Sequence, residues 1–205
     1  MKRTRTSKAW MQEHVSDAFV KRAQKEGYRA RAAYKLMEID DRDKLIKPGM
    51  TVVDLGSAPG SWSQVVAQRL KGSGKVFALD ILEMAPISGV DFLQGDFREE
   101  SVLKQLEEKL SGQQVDLVIS DMAPNISGIN VTDQARVAHL VELALEFSRD
   151  WLKPGGCLLV KAFAGSGYED NLKAMRALFE QVTTRKPKAS RDRSSETFLL
   201  GLNKH

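Results

Sequence analysis

The chain has 205 residues, 42% of them hydrophobic, and a formal net charge of +4. That length suits one α/β domain with a proper core and is short for two. Its one cysteine, Cys157 in the apolar run Cys157-Leu-Leu-Val160, leaves no internal disulfide and argues against a zinc cluster or a secreted scaffold, so a small core residue is expected there. With no run of about 18 apolar residues, the expectation is a soluble, cytoplasmic protein without a membrane partner.

Residues 1–12 are basic and polar and read as a flexible arm able to touch phosphates. Residues 13–48 follow as a basic helical segment. From Asp17 to Asp40, Ala18, Phe19 and Ala23, then Ala30, Ala33, Tyr34 and Met37, recur at helical spacing about a break at Gly27, which predicts two short helices. Their exposed faces carry Lys21, Arg22, Lys25, Arg29, Arg31 and Lys35. Pro48-Gly49 ends the segment.

Residues 49–202 read as the core. Val52, Val53 and Leu55 suit a buried parallel strand, and the acid Asp54 stands near its end. Gly56 and Gly60 then make a turn, and their missing Cβ atoms would let a ligand lie against the backbone. The spacing is G-x-x-x-G rather than the G-x-G-x-x-G of dinucleotide sites, which disfavours a nicotinamide cofactor. Asp54-Leu-Gly56 with Gly60 resembles the first motif of class I methyltransferases that use S-adenosylmethionine (SAM).

A helix over Trp62–Leu70 leads to a second strand, Lys75–Asp80, whose terminal acid is placed to take ribose hydroxyls as in open α/β sheets. A third strand, Asp91–Asp96, ends in another acid, and Ser101–Leu110 is helical. Val115–Ser120 is a fourth strand, followed directly by Asp121-Met-Ala-Pro-Asn125. A long helix over Asp133–Leu152 stops at Pro154-Gly155-Gly156. Leu158–Val160 is the fifth strand and Lys161 leaves it. A helix over Tyr168–Phe179 precedes two β-rich runs, Val182–Lys186 and Thr197–Leu202, joined by a basic loop. The order βαβαβαβαβαββ indicates a doubly wound, mostly parallel sheet with an antiparallel last strand, a Rossmann-like class I methyltransferase fold in one domain. Asp54, Asp80, Asp96, Asp121 and Lys161 all map to the carboxyl ends of strands, where such sheets bind ligands.

Charge is unevenly spread. Residues 1–35 hold ten Lys/Arg against three acids, and residues 183–193 hold five against one, so the remainder carries −7. Two basic ends about an acidic middle suit a polyanion held beside a site for something else.

From about Trp10 to Leu202 the chain resembles the FtsJ/RrmJ family of ribosomal RNA ribose 2′-O-methyltransferases. The resemblance rests on Arg29-Ala-Arg-Ala-Ala-Tyr-Lys35-Leu, the glycine turn, Phe92-Leu-Gln-Gly-Asp96-Phe, Ser120-Asp121-Met-Ala-Pro-Asn125, Val160-Lys161-Ala-Phe163 and Ser194-Ser-Glu196-Thr. It implies a catalytic tetrad of Lys35, Asp121, Lys161 and Glu196. It also implies SAM contacts at Gly60, Trp62, Asp80, Asp96 (toward the adenine amino group) and Asp121, with Asp54, Gly56 and Ser61 shaping the turn. The substrate it implies is a uridine of 23S ribosomal RNA in the large ribosomal subunit; no exposed apolar stripe asks for a dimer, so a monomer is expected.

A ribose hydroxyl must lose its proton as it attacks a sulfonium methyl. A lysine can take that proton only when neutral, and its ordinary pKa near 10.4 keeps it mostly charged at pH 7. Lys161 is therefore read as the base, or as the group that steers an oxygen lone pair, oriented by Asp121, while Lys35 and Glu196 hold the ribose and fix Lys161. Trp62 and Phe97 read either as core aromatics or as rings bordering the cofactor. Arg185 to Arg193, Lys2 to Lys8 and the Arg29/Arg31 helix are expected to bind RNA phosphates without reading bases. His14, His139 and His205 lack ligand spacing, so no metal is expected. Two other readings stand beside this one. Asp121-Met-Ala-Pro124 resembles the Asp/Asn-Pro-Pro-aromatic motif of base N-methyltransferases, without its second proline and aromatic, and the fold with its basic faces would also serve a non-catalytic ribosome-assembly factor.

Overall fold

The structure is a computed structural model that describes residues 17–124, 130–191 and 194–205. Its strands are β1 (Thr51–Leu55), β2 (Lys75–Asp80), β3 (Val90–Gln94), β4 (Val115–Ser120), β5 (Leu152–Phe163), β6 (Phe179–Arg185) and β7 (Glu196–Lys204). They form one sheet in the order β3-β2-β1-β4-β5-β7-β6. Pairing from β3 through β5 is parallel, and β7 enters between β5 and β6 antiparallel to both. The helices are α1 (Ala18–Glu26), α2 (Ala33–Asp43), α3 (Ser61–Leu70), α4 (Glu100–Leu110), α5 (Asn130–Trp151) and α6 (Tyr168–Leu178).

Alternation along the strands sorts the core into two layers. Val52, Leu117, Ile119, Leu159, Phe198 and Leu200 pack under α2 and α3 with Leu36, Ile39, Val65 and Val66. Val53, Leu55, Val118, Leu158, Val160 and Leu199 pack on the other face with Leu106, Val141, Ala144 and Met175 from α4, α5 and α6. Each fully buried aliphatic side chain contributes roughly 1.5–3 kcal/mol, so the apolar periodicity dictates which helix covers which face.

The doubly wound plan with an antiparallel last strand is present, with three departures. No helix joins β2 to β3: residues 81–89 hold Pro86, which supplies no backbone donor, and they run as an irregular strap. The fifth strand starts at Leu152, six residues earlier than expected. Pro154-Gly155-Gly156 therefore lies inside the strand rather than ahead of it, where the register against β4 shifts between Val115 and Leu117. Finally β3 ends at Gln94, so Asp96 sits in the loop beyond it.

Candidate active site

Strand parity assembles one half of the site. Lys161 follows Leu159 by two residues and so faces the α2/α3 side, and Glu196, opposite Phe163 in the β5–β7 ladder, is its diagonal neighbour on that face. The Lys161 Nζ lies 2.7 Å from Asp121 Oδ1 and 3.7 Å from Glu196 Oε2, and it donates to the Asp121 carbonyl at 2.8 Å. Helix α2 lies over this face and brings Lys35 Nζ to 2.7 Å from Glu196 Oε1. The four residues singled out in the sequence thus form one continuous lysine–acid chain, with Lys161 and Glu196 buried.

The surroundings hold Glu196 still. Ser190, itself buried, donates its hydroxyl to Oε1 at 2.8 Å, and Lys186 Nζ binds the carbonyls of Ser194 and Glu196. Burial pushes the Glu196 carboxyl up, but the charges of Lys35 and Lys161, with hydrogen bonds from Lys35 and Ser190, outweigh it and leave the group below its ordinary value. Ser190 and Lys186 carried no signal in the sequence. They stand six and ten residues from Glu196 on a loop without periodicity, and only the fold of that loop brings them to it.

The strand-end acids form the second half. Asp80 accepts the Ala58 N–H through Oδ2 and the Leu82 N–H through Oδ1, both at 2.8 Å, and so ties the glycine turn to the 81–89 strap. Asp54 accepts from the Ser63 hydroxyl at 2.6 Å through Oδ2, whereas its Oδ1 and the buried Ser57 hydroxyl have no hydrogen-bond partner among the described residues. Gly56 and Gly60 have φ of 76° and 105°, a region that favours glycine. A Cβ at Gly56 would fall 2.4 Å from Met122, and one at Gly60 within 3 Å of Ile87, Met84 and Arg29. In the direction a Cβ would take at each glycine, the space is therefore filled by the protein's own side chains. Ser61 is buried at the start of α3.

The structure also places the other candidates. The Trp62 ring is core, packed on Phe198 and donating from Nε1 to the Ala32 carbonyl at 2.8 Å, so only its backbone is left for a ligand. Phe97 is buried edge-on to Phe147 beneath the sheet. Asp96 is held by the Arg98 guanidinium and its backbone N–H, which keep the carboxyl below its ordinary value.

The cations assigned to phosphates are mostly committed elsewhere. Arg29 donates to the carbonyls of Pro59, Ala85 and Pro86, Arg31 pairs with Asp17 and binds the Ala189 carbonyl, and Arg185 grips Asp43 with two bonds of 2.7 Å. Unsatisfied carbonyls and carboxylates within reach outcompete a distant phosphate. The arm over residues 1–12, His14, Asn125 and residues 192–193 lie outside the described residues. Among the described residues no group of three or more His, Cys, Asp or Glu is placed to hold a metal, and no helix is long and apolar enough to cross a membrane.

Asp54 yields a pH prediction. Burial, aided by the charges of Asp121 and Asp80 and opposed by the Ser63 hydroxyl, pushes its carboxyl up to about 7 from 3.8. The folded state therefore keeps a proton that the unfolded chain releases, and Asp54's contribution is fully present below the unfolded value and lost as pH rises through about 7. Asp54→Asn is expected to flatten this part of the stability profile in melts at pH 4.5, 6 and 7.5. An unchanged profile would place the proton elsewhere.

A sheet of this order, with acids at the carboxyl ends of its parallel strands and a glycine turn leading into α3, defines a class I methyltransferase fold. The chain matches the FtsJ-like methyltransferase family over residues 28–204, and it belongs to that family. It is 73% identical to the Ribosomal RNA large subunit methyltransferase E of Methylobacillus flagellatus, over 100% of this chain and 99% of that protein. The protein of the same description from Nitrosospira multiformis is 68% identical, again over 100% and 99%. A solved Plasmodium falciparum chain described as a ribosomal RNA methyltransferase superposes with a TM-score of 0.78 at 31% identity, covering 86% of this chain and 98% of that one. The protein is thus a methyltransferase.

Proposed function

We propose that the protein transfers a methyl group from SAM to the ribose 2′-hydroxyl of a uridine in 23S ribosomal RNA, acting on the large ribosomal subunit in the cytoplasm. The observation that carries this reading is the contact chain Lys35–Glu196–Lys161–Asp121. An exocyclic amine already has a usable lone pair and needs no such lysine pair, and a non-catalytic factor has no need of a buried, fully paired one. The family membership and the relatives' names support the same substrate class.

For SAM, Asp80 would take the ribose hydroxyls and Asp96 the adenine amino group, with Asp121, the Gly60 turn and the Trp62 backbone beside them. Asp54, Gly56 and Ser61 set the shape of the turn. The unpartnered Asp54 Oδ1 and Ser57 hydroxyl fit a polar guest, as do the carboxylates gathered at the strand ends. When bound, SAM supplies a methyl carried on a positively charged sulfur.

Lys161 is the residue that handles the hydroxyl. In the structure its Nζ hydrogen-bonds the Asp121 carbonyl and forms ion pairs with Asp121 Oδ1 and Glu196 Oε2. As a neutral amine Lys161 would accept the 2′-hydroxyl proton as that oxygen takes the methyl group. Asp121 keeps Nζ aimed, and Lys35, fixed by Glu196, holds the ribose. Positioning the hydroxyl supplies much of the rate. Lys21, Lys25 and Lys188, all exposed, join the arm at residues 2–8 in meeting phosphates, so RNA affinity falls steeply with salt.

The test incubates the protein with methyl-labelled SAM and large ribosomal subunits from cells lacking it, then maps the label by alkali. A 2′-O-methyl blocks backbone cleavage, so one resistant step is expected at a uridine. Label on an alkali-sensitive backbone would instead establish base methylation, and SAM binding without label would establish an assembly factor.

A further inference from the structure

Arg29 stands at the junction of α1 and α2, and its side chain reaches into the cofactor half of the site. Its Nη1 donates to the Pro59 carbonyl at 2.9 Å and to the Ala85 carbonyl at 2.6 Å, and its Nη2 donates to the Pro86 carbonyl at 2.9 Å. The first acceptor belongs to the glycine turn and the other two to the strap that follows Asp80. The Arg29 backbone N–H donates to Gln64 Oε1 at 2.9 Å, while Gln64 Nε2 donates back to the Gly27 carbonyl at 3.1 Å. Gln64 lies in the first turn of α3, and its own N–H binds the Gly60 carbonyl at 2.9 Å. Gly60 has no Cβ, and one placed there would fall 2.9 Å from Arg29 Nη1.

Two residues therefore stitch the glycine turn to the strap. Asp80 joins residues 58 and 82 by accepting two N–H groups, and Arg29 joins residue 59 to residues 85 and 86 by donating to three carbonyls. Between these stitches the strap has no helix or strand of its own. It exposes Ile81 and Leu82, whose relative exposures are 58% and 65%, and it buries Met84. Without the Arg29 stitch nothing else described bonds the 84–86 backbone to the turn, and the separation of the two walls beside Asp80 is left free to vary.

We infer that Arg29 is a positioning residue of the cofactor site: it sets the gap between the glycine turn and the 81–87 strap, so that the N-terminal segment helps build the SAM pocket. This deepens the SAM reading and rests on it. The role needs a planar fork, because two nitrogens serve three carbonyls on two chain segments, and a single ammonium nitrogen cannot occupy both places.

Charge-preserving replacement separates this role from a phosphate contact. Arg29→Lys and Arg29→Ala should both raise the SAM dissociation constant and KM by about ten- to a hundredfold. Their kcat at saturating SAM, and RNA affinity with its salt slope, should stay close to wild type. The inference is overturned if both variants bind SAM as wild type does, or if Arg29→Lys is normal while Arg29→Ala loses RNA affinity with a salt slope shallower by about one. Should Arg29→Ala fail to fold, Arg29→Lys carries the test, since lysine keeps the charge and the aliphatic stem. Calorimetry of wild type with SAM serves as the reference: no binding there sinks the SAM reading itself, whereas normal binding in wild type and in Arg29→Lys alike sinks only the role of Arg29.

Discussion

Replacing Lys161 with alanine is expected to lower the single-turnover rate of ribose methylation by about a hundred- to ten-thousandfold, with SAM affinity little changed. The side chain is buried among Asp121 and Glu196, and no other described amine contacts both acids. Asp121 would survive the substitution as an acceptor, but carboxylates as a class are far weaker bases than amines. Rapid-quench assays with saturating cofactor check this. A variant rate within tenfold of wild type would remove Lys161 from the chemistry.

Substitution at Glu196 should strike stability as well as rate. The carboxylate is the one acidic partner of Lys35 among the described contacts, it is shared with Lys161, and the side chains of all three are at most 12% exposed. Removing one member of such a buried set typically costs about 3–5 kcal/mol. For a protein of this size about 2–4 °C of Tm accompany each kcal/mol, so Glu196→Ala should melt roughly 6–20 °C below wild type. Glu196→Gln keeps the shape and the Ser190 contact and tests the charge alone. Because the folded carboxyl titrates below its ordinary value of 4.5, its contribution is present above that pH and fades as pH falls through the folded value. The gap in Tm between wild type and Glu196→Gln should therefore be wider at pH 7 than at pH 4. An equal gap at both would assign the loss to packing.

Much of the sheet is legible in the chain because burial acts with a period of two. Val52-Val53-Asp54-Leu55 and Leu158-Leu159-Val160-Lys161 declare their faces residue by residue, and the acids at strand ends mark the ligand edge. The tetrad is legible chiefly through family resemblance, since each member alone reads as an ordinary surface charge. What stays hidden is who binds whom across the turns. Arg29, Arg31 and Arg185 look like free cations because most of the carbonyls and carboxylates that take them are 14 to 158 residues away. Trp62 is ambiguous until Ala32 and Phe198 are seen beside it. Gly56 and Gly60 signal close approach correctly, but local sequence does not say whether the approaching atoms belong to a guest or to Met122 and Arg29. The strap after Asp80 lacks any periodicity, and a helix was expected there only because the fold usually inserts one.

The placement of β7 inside the sheet divides the proposed site by how readily its parts come loose. Glu196 and Lys161 lie on strands paired on both sides or with a buried interior neighbour, and such ladders open only when much of the sheet opens. Asp80, the glycine turn and Asp96 instead meet at strand ends and loops held by a handful of single bonds, which open locally at far smaller cost. On the proposed reading, the half of the site that would exchange the cofactor opens at lower cost than the half that would grip the ribose.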